Sequence, residues 1–315
     1  MKKISIIVPC YNEEKMIELF YVESTKITNN IEEYEFEYVL INDGSKDDTL
    51  KTIKYLSKEH KDIKYISFSR NFGKEAAILA GLKNFNGDYA IIMDADLQHP
   101  PRLIIDMIEK VEEGYDSVST KRIDRSGESK LRGLFSKLFF RFLNKISDIP
   151  IVEGATDFRI MSKQMVDSVL DLTEYHRFSK GIFEWVGYDT YWIEYVSEDR
   201  VLGETKWSYI GLFKYAMEGI IAFSTTPLRL SSIIGVIISI ISFIYFIITL
   251  LQTLIFGKDL PGYASTICLI SFLGGIQLVA LGIIGEYLAR TYMQVKRRPN
   301  YIIKEKNINK RKIMN

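Results

Sequence analysis

Two different rhythms of apolar and polar residues divide this chain. Through the first half, short apolar runs alternate with stretches whose apolar residues recur at helical spacing. "ISIIVP", "YEFEYVLIND", "IKYISFS", "YAIIMDAD" and "YDSVSTKR" read as strands. "EEKMIELFYVESTKITNNI" and "SKDDTLKTIKYLSKEH" read as amphipathic helices between them. Strands alternating with helices predict βαβ units: an α/β fold with a mostly parallel sheet and helices on both faces.

The second rhythm is a lack of one. No charged residue occurs from Leu230 to Gly257, and none from Leu260 to Gly285. A bilayer core takes about 20 apolar residues per helix, so both stretches are long enough to cross it. A hairpin buried in a soluble core fits poorly at that length. The short connection around Lys258 to Pro261 returns the chain to the side it left. Arg229 precedes the first stretch, and Arg290, Lys296, Arg297, Arg298, Lys304, Lys306, Lys310, Arg311 and Lys312 follow the second. By the positive-inside rule both ends face the cytosol. The opening "MKKISIIVPCYNEE" has an apolar core of only about six residues, short for a signal peptide. It reads as a buried first strand. The expectation is a multi-pass protein of the cytoplasmic (inner) membrane with its soluble part and both termini in the cytosol.

Between the two regimes lies "SKLRGLFSKLFFRFLNKI", residues 129–146. Its leucines and phenylalanines recur at helical spacing, with Lys137, Arg141 and Lys145 on another face. Such a helix suits a bilayer surface; packing on the α/β core is the alternative. "WSYIGLFKYAMEGIIAF", residues 207–223, is a weaker candidate of the same kind. The division expected is a catalytic domain over 1–206, including an interfacial helix at about 129–147. A second interfacial helix or linker covers 207–228. Two membrane helices come next within 229–290, at about 230–257 and 260–286, and then a basic tail over 291–315. After Pro299 the tail is polar and basic, and it is expected to lack fixed order.

Composition changes this picture little. The net charge of +1 gives no argument for nucleic-acid binding. The two cysteines, Cys10 and Cys268, make neither a disulfide framework nor a metal cluster.

Candidate chemistry gathers after strand ends: Tyr11 to Glu14, Asn42 to Ser45, Arg70 to Lys74, and Asp94 to Gln98. In open α/β sheets the ligand crevice lies at the carboxyl ends of strands. Four clusters after four strands therefore point to one site. Asp94 and Asp96 stand two residues apart, on one side of an extended chain. A hard cation such as Mg²⁺ takes one or two carboxylates and completes its shell with phosphate oxygens and water. The alternative for Asp96 is the cap of a helix starting at Pro100 or Pro101. His99 is more readily structural than a metal ligand.

At these residues the chain resembles a known family. "SIIVPCYNEE", "LINDGSKDDT", "SRNFGKEAAILAGL" and "MDADLQHPP" resemble the successive motifs of the family 2 inverting glycosyltransferases, which have the GT-A fold. Within them the likeness is to the polyprenyl-phosphate branch, the dolichol-phosphate mannose synthases and bactoprenol glucosyltransferases. It extends over nearly the whole chain. The resemblance implies a nucleotide-sugar site of Pro9, Tyr11, Glu13, Asp43, Lys74, Asp94 and Ala95, with Asp43 reading the base or ribose. Asn42 stands where many relatives have a second Asp, and Gly44 allows a tight turn near the nucleotide. Asp94, Asp96 and Gln98 would hold Mg²⁺ or Mn²⁺. Asp157 in "GATDFRIMS" would join Asp96 as a catalytic group, orienting the attack or taking a proton. Arg122, Arg132 and Ser136, with Arg200 and Lys206 from "DRVLGETKW", would grip the phosphate of the acceptor lipid.

The reaction so implied is transfer of one sugar from a nucleotide sugar to polyprenyl (undecaprenyl) phosphate with inversion, for cell-envelope glycan modification. UDP-glucose is the first choice of donor; N-acetylglucosamine, galactose, mannose and an aminosugar stay open. A processive polysaccharide synthase of the same superfamily would need a "QxxRW" motif and more membrane helices, and neither is found. A non-catalytic scaffold would not need Asp94, Asp96 and Asp157, and two helices are few for a transporter. Gly274, Gly275, Gly282 and Gly285 would let membrane helices approach closely, which favours a homo-oligomer, a tetramer being one arrangement. A flippase and a further transferase would act downstream.

Overall fold

The computed structural model describes residues 1–123, 144, 152–196, 221, 224–256 and 262–308. The expected interfacial helix at 129–147, apart from residue 144, most of 207–223 and the hairpin connection lie outside the described residues.

The strands expected from the apolar runs all form. β1 (Lys2–Cys10), β2 (Tyr34–Asn42), β3 (Ile63–Phe68), β4 (Tyr89–Ile92) and β5 (Ser117–Arg122) are followed by β6 (Ala155–Ser162), β7 (Thr190–Tyr195) and β8 (Ile303–Lys306). The sheet order is β7-β5-β6-β4-β1-β2-β3-β8. β1 pairs in parallel with β2 and β4, β2 with β3, and β5 with β7; β6 runs antiparallel to β4 and β5, as β8 does to β3. This mixed, mostly parallel sheet is the arrangement the GT-A resemblance implies.

The central strands are apolar on both faces because helices cover both. α1 (Ile17–Thr28), α2 (Thr49–Glu59) and α4 (Leu103–Glu112) lie with one apolar cluster, around Ile6, Val8, Phe20, Ile53, Ile104 and Met107. α3 (Lys74–Asn84), α5 (Lys163–Asp171) and α6 (Ser179–Trp185) lie with the other, around Ile7, Ile41, Ala77, Phe85, Met165 and Phe183. α3 is buried on almost every residue, so its apolar positions show little periodicity. A Cβ at Gly81 would stand 2.2 Å from Ile7 Cγ2, which shows how closely α3 lies on β1.

Strand order turns at β1, with β2 and β3 to one side and β4 to the other. The carboxyl ends of β1 and β4 therefore flank the switch point where such sheets open a crevice. Tyr11 to Glu13 leave β1 there, and Asp94 to Gln98 leave β4.

The two apolar stretches form α7 (Thr226–Phe256) and α8 (Tyr263–Val295). Both are long and apolar enough to cross a membrane, and none of the apolar span within either is buried by the protein. Phe243 is 63% exposed and Leu278 72%. A soluble protein does not leave such a surface to water, and the hairpin associates with a membrane. α8 runs past the expected end at 286 to Val295, with Glu286 and Arg290 paired at 3.2 Å one turn apart along that extension.

The tail departs from expectation. Over its described part, to residue 308, it has fixed structure: Ile303–Lys306 adds the antiparallel edge strand β8 to β3. Tyr301 stacks on Phe68 with centroids 4.9 Å apart, Ile308 is buried, and Lys54 pairs with Glu305 at 2.7 Å. Lys304 and Lys306 are exposed while Ile303 and Glu305 are half-buried, and Lys306 Nζ donates to Asn84 Oδ1 at 3.2 Å, charged residues that suit an edge.

Candidate active site

The site is assembled from loops that lock onto one another. The main-chain N–H groups of Asn12, Glu13 and Glu14 donate to Ser45 Oγ, Thr49 Oγ1 and Asp47 Oδ2 at 3.0, 2.8 and 3.3 Å. The segment after β1 is thus held by the segment after β2. Asn42 is buried; its amide donates to Ser67 Oγ at 2.9 Å and its carbonyl accepts from Ser45 N at 3.2 Å. The amide thus serves once as donor and once as acceptor between β3 and the turn after β2.

Asp43 holds the next wall. Its two carboxylate oxygens accept from the N–H groups of Phe72 and Gly73 at 2.6 and 2.9 Å. Burial raises its pKa above the usual carboxylate range, and those two bonds oppose the rise. Gly44 serves the same junction. At φ +64° it sits where an added Cβ would meet Arg70 C at 2.3 Å and Asn71 N at 2.6 Å. The close neighbour that demands glycine is thus the protein's own backbone.

Asp94 follows Met93, whose N–H still donates to Ile7 O at 3.0 Å. Lys74, the first residue of α3, reaches across to it. Its Nζ lies 2.8 and 2.9 Å from the two Asp94 oxygens and 2.6 Å from Asp157 Oδ2. One ammonium therefore joins carboxylates from β4 and β6. Its side chain remains 42% exposed because it faces the pocket. Burial opposes the charge on both aspartates. Burial is the largest single influence at each, but Lys74 together with His99 outweighs it at Asp94, and Lys74 together with Lys180 at Asp157, so both carboxyls are held below the usual range. Burial likewise opposes charge on Lys74, but Asp94 and Asp157 raise its pKa well above that of an ordinary lysine.

These groups surround one cavity of about 510 Å³. It brings together Pro9, Tyr11, Glu13, Asp43, Lys74, Asp94, Ala95, Asp96, Gln98 and Asp157 from segments far apart in sequence. Tyr11 stands at the rim, 42% exposed. Asp96 does not cap α4, whose N-cap is Arg102; its Oδ1 accepts from Gln98 N at 3.2 Å. Arg122 lies apart from the cavity, exposed at the end of β5. Arg132, Ser136, Arg200 and Lys206 lie outside the described residues.

The cavity also holds residues the sequence did not single out for this site. Lys180 of α6 lines it, donating to Ala155 O at 2.9 Å, and burial depresses its pKa. The stretch "YHRFSKGIFEWVGY", residues 175–188, reads through its aromatic residues as a helix packed under the site that also walls in sugar or acceptor, and those aromatics hide this lysine. His99 lies closer to the chemistry than expected, with Nε2 3.7 Å from Asp94 Oδ2 and Nδ1 2.6 Å from Tyr195 Oη.

Among the described residues no group of three or more His, Cys, Asp or Glu side chains could enclose a metal ion. The donor set nevertheless suits a hard cation that shares its shell with a phosphate. Asp94, Asp96 and Gln98 offer oxygen ligands on one wall, and such ions need only one or two carboxylates.

Residues 5–170 match the family described as "Glycosyl transferase family 2", and residues 226–291 match "GtrB C-terminal hairpin". The chain belongs to glycosyl transferase family 2. This family 2 chain is 47% identical over 305 residues to a Bacillus subtilis (strain 168) protein provisionally named as the glycosyltransferase CsbB, covering 97% of this chain and 92% of that one. It is 44% identical over 302 residues to the prophage bactoprenol glucosyl transferase homolog of Escherichia coli K12, covering 96% and 98%. A solved structure lies much further off. Glucosyl-3-phosphoglycerate synthase from Mycobacterium tuberculosis, in complex with Mn²⁺ and UDP-glucose, matches at 18% identity with a TM-score of 0.46, over 70% of this chain and 78% of its own. That likeness is too remote to bear on the chemistry.

Proposed function

We propose that this glycosyltransferase moves a single glucose from UDP-glucose to polyprenyl phosphate, with inversion, on the cytosolic leaflet of the cell membrane. The observation that carries the reading is the convergence of Lys74, Asp94, Asp96 and Asp157 on one strand-end cavity, in a chain that also bears an uncovered apolar hairpin. The first group suits a donor that arrives from water, the second an acceptor that arrives in lipid. Relatives of similar length named bactoprenol glucosyl transferases support both the sugar and the acceptor.

In this reading Pro9, Tyr11, Glu13 and Ala95 frame the nucleotide, while Asp43 acts mainly by fixing the Phe72–Gly73 wall. Mg²⁺ or Mn²⁺ held by Asp94, Asp96 and Gln98 would neutralise charge on the leaving diphosphate. Lys74 and Lys180 add fixed positive charge where that diphosphate departs, and such preorganised charge is worth more in a walled cavity than in water. A phosphate oxygen of the acceptor attacks the anomeric carbon, the bond from that carbon to the diphosphate oxygen breaks, and UDP leaves from the opposite face. The nucleophile is already anionic near neutral pH, so Asp157, pinned by Lys74, serves to position the reactants more than to remove a proton. Arg122, Arg132, Ser136, Arg200 and Lys206 take the acceptor phosphate. The catalytic domain covers 1–206, both termini are cytosolic, and the lipid-linked glucose passes to a flippase and a second transferase.

The test is transfer by purified full-length protein in detergent, with undecaprenyl phosphate, Mg²⁺ and a panel of labelled nucleotide sugars. Label should enter the lipid phase from UDP-glucose. Asp96→Ala should slow it by at least about 10²-fold, the scale for losing one transition-state stabilising group. Transfer from another donor alone would replace glucose. Failure with every donor, by folded protein, would remove the enzymatic reading.

A further inference from the structure

We propose that a second cavity, between the β3–α3 segment, residues 173–178 and the C-terminal part of α8, binds the phosphate headgroup of a membrane lipid at a site separate from the transfer cavity. The inference rests on the reading that α7 and α8 lie in a bilayer.

The cavity measures about 690 Å³. Arg70, Arg177 and Arg290 line it, with apolar walls from Phe72, Tyr175 and Met293. Its walls are fastened together. Tyr175 N donates to Gln294 Oε1 at 2.7 Å, Gln294 Nε2 donates to Thr173 O at 3.1 Å, and Asn300 Nδ2 donates to Tyr175 O at 2.9 Å. Beyond Asn300, Tyr301 and β8 bind the sheet, so this part of α8 is held against the domain from both sides of the cavity.

The position selects a lipid. α8 keeps an uncovered apolar surface in line with Glu286 and Arg290, with Phe272 and Val279 at 64 and 65% exposure. A lipid whose chain runs along that surface brings its headgroup to Arg290. The charge selects a phosphate. Guanidinium groups match phosphate oxygens two bonds at a time. Arg70 is laid over the Phe72 ring at 4.0 Å and donates to Asn71 O at 2.9 Å; Arg290 donates to Glu286 Oε1 at 3.2 Å. A guanidinium carries five N–H donors, so those bonds leave each arginine able to turn toward a ligand. Arg177 is different: it donates to Leu172 O and Val169 O, and it contributes charge from within the wall. Of the carboxylates in the lining, Glu75 accepts from Ser179 N at 3.0 Å, and Glu286 is the partner of Arg290.

The cavity shares a wall with the transfer site. Arg70, Phe72 and Glu75 face it, while Asn71, Gly73 and Lys74 line the transfer cavity. A headgroup at Arg70 therefore bears on the segment that carries Lys74.

Native mass spectrometry of the full-length protein tests this, after incubation with phosphatidylcholine alone, with phosphatidylglycerol, or with undecaprenyl phosphate. The wild type should retain about one phosphate-charged lipid per chain in preference to phosphatidylcholine, and Arg70→Gln with Arg290→Gln should lower that retention about tenfold. Glu286→Gln, which frees Arg290, should raise it. Phosphatidylglycerol that the wild type retains and the double variant loses assigns the site to bulk phospholipid; loss by the double variant of undecaprenyl phosphate alone assigns it to the acceptor lipid. Equal retention by wild type and the double variant, or no preference over phosphatidylcholine, overturns the site. Carbonate extraction of the same proteins from liposomes separates the two readings. Protein released by carbonate refutes membrane insertion, whereas inserted protein without the preference refutes only the headgroup site.

Discussion

The strand-end cavity and the apolar hairpin handle exposure in opposite ways. In the cavity, Lys74 lies within 2.9 Å of oxygens from two aspartates, and burial is outweighed by neighbouring charge. In the hairpin there is no charge to match across most of each helix, and bulky side chains stand uncovered. Exposure of a large apolar residue therefore means different things in the two regions. Ile105 on α4 is 43% exposed, a lone residue on a mixed surface; Ile240 and Ile244 on α7 are 55 and 53% exposed among neighbours of the same kind. The first meets water and the second lipid.

The largest expected effect tests that contrast. Ile240→Asp with Ile244→Asp should cost about 3 kcal/mol per residue for insertion at mid-membrane. Carbonate extraction should then release the chain. Ile105→Asp, at similar exposure, should stay within about 0.5 kcal/mol of the wild type in denaturant unfolding. Similar behaviour of the two would erase the distinction.

Next in size is the charged centre. Lys74→Met leaves Asp94 and Asp157 without their shared cation. Breaking such a pair is costly when it is buried and cheap when exposed, so at 42% exposure about 1–2 kcal/mol is expected. Mg²⁺ should raise the melting temperature of the variant more than that of the wild type, because the two aspartates regain a counter-charge. An equal response would separate the ion from Asp94.

A smaller effect belongs to the join between the regions. Tyr301→Ala removes the ring stacked on Phe68, worth about 1.5 kcal/mol at most beyond its burial. Amide exchange over residues 303–306 should speed up while exchange within α7 stays unchanged. Unchanged exchange in β8 would mean that the strand holds without its aromatic anchor.

This join also marks the limit of what the sequence shows. β1 to β5 were legible because their apolar runs are bounded by polar clusters, and the hairpin because it lacks charge. β8 was not, since "IKEK" alternates over only four residues inside a basic tail, and nothing local says that β3 has a free edge. At the site, the motif residues were legible singly, as polar groups after strands. That Lys74 spans 20 residues to Asp94 and 83 to Asp157 is a property of the assembled sheet. Lys180 was missed for the same reason: its neighbours in sequence are aromatic, while its neighbours in space are the two aspartates.

The smallest expected effect concerns Arg122, the described acceptor candidate outside the cavity. Its main chain is fixed independently of its side chain. Arg122 N donates to Gly154 O at 2.9 Å, and Gly154, at φ +77°, admits no Cβ because Arg122 O would lie 2.6 Å away. Arg122→Gln keeps that main-chain bond, so the fold should hold, with stability changed by no more than about 0.5 kcal/mol. If the guanidinium meets the acceptor phosphate equally in ground and transition states, KM for undecaprenyl phosphate rises about fivefold, close to 1 kcal/mol, with kcat unchanged. KM for UDP-glucose should not move, since Arg122 does not line the donor cavity. A fall in kcat with a rise in the donor KM would place Arg122 on the leaving diphosphate, and the acceptor would then have to enter from another side of the sheet.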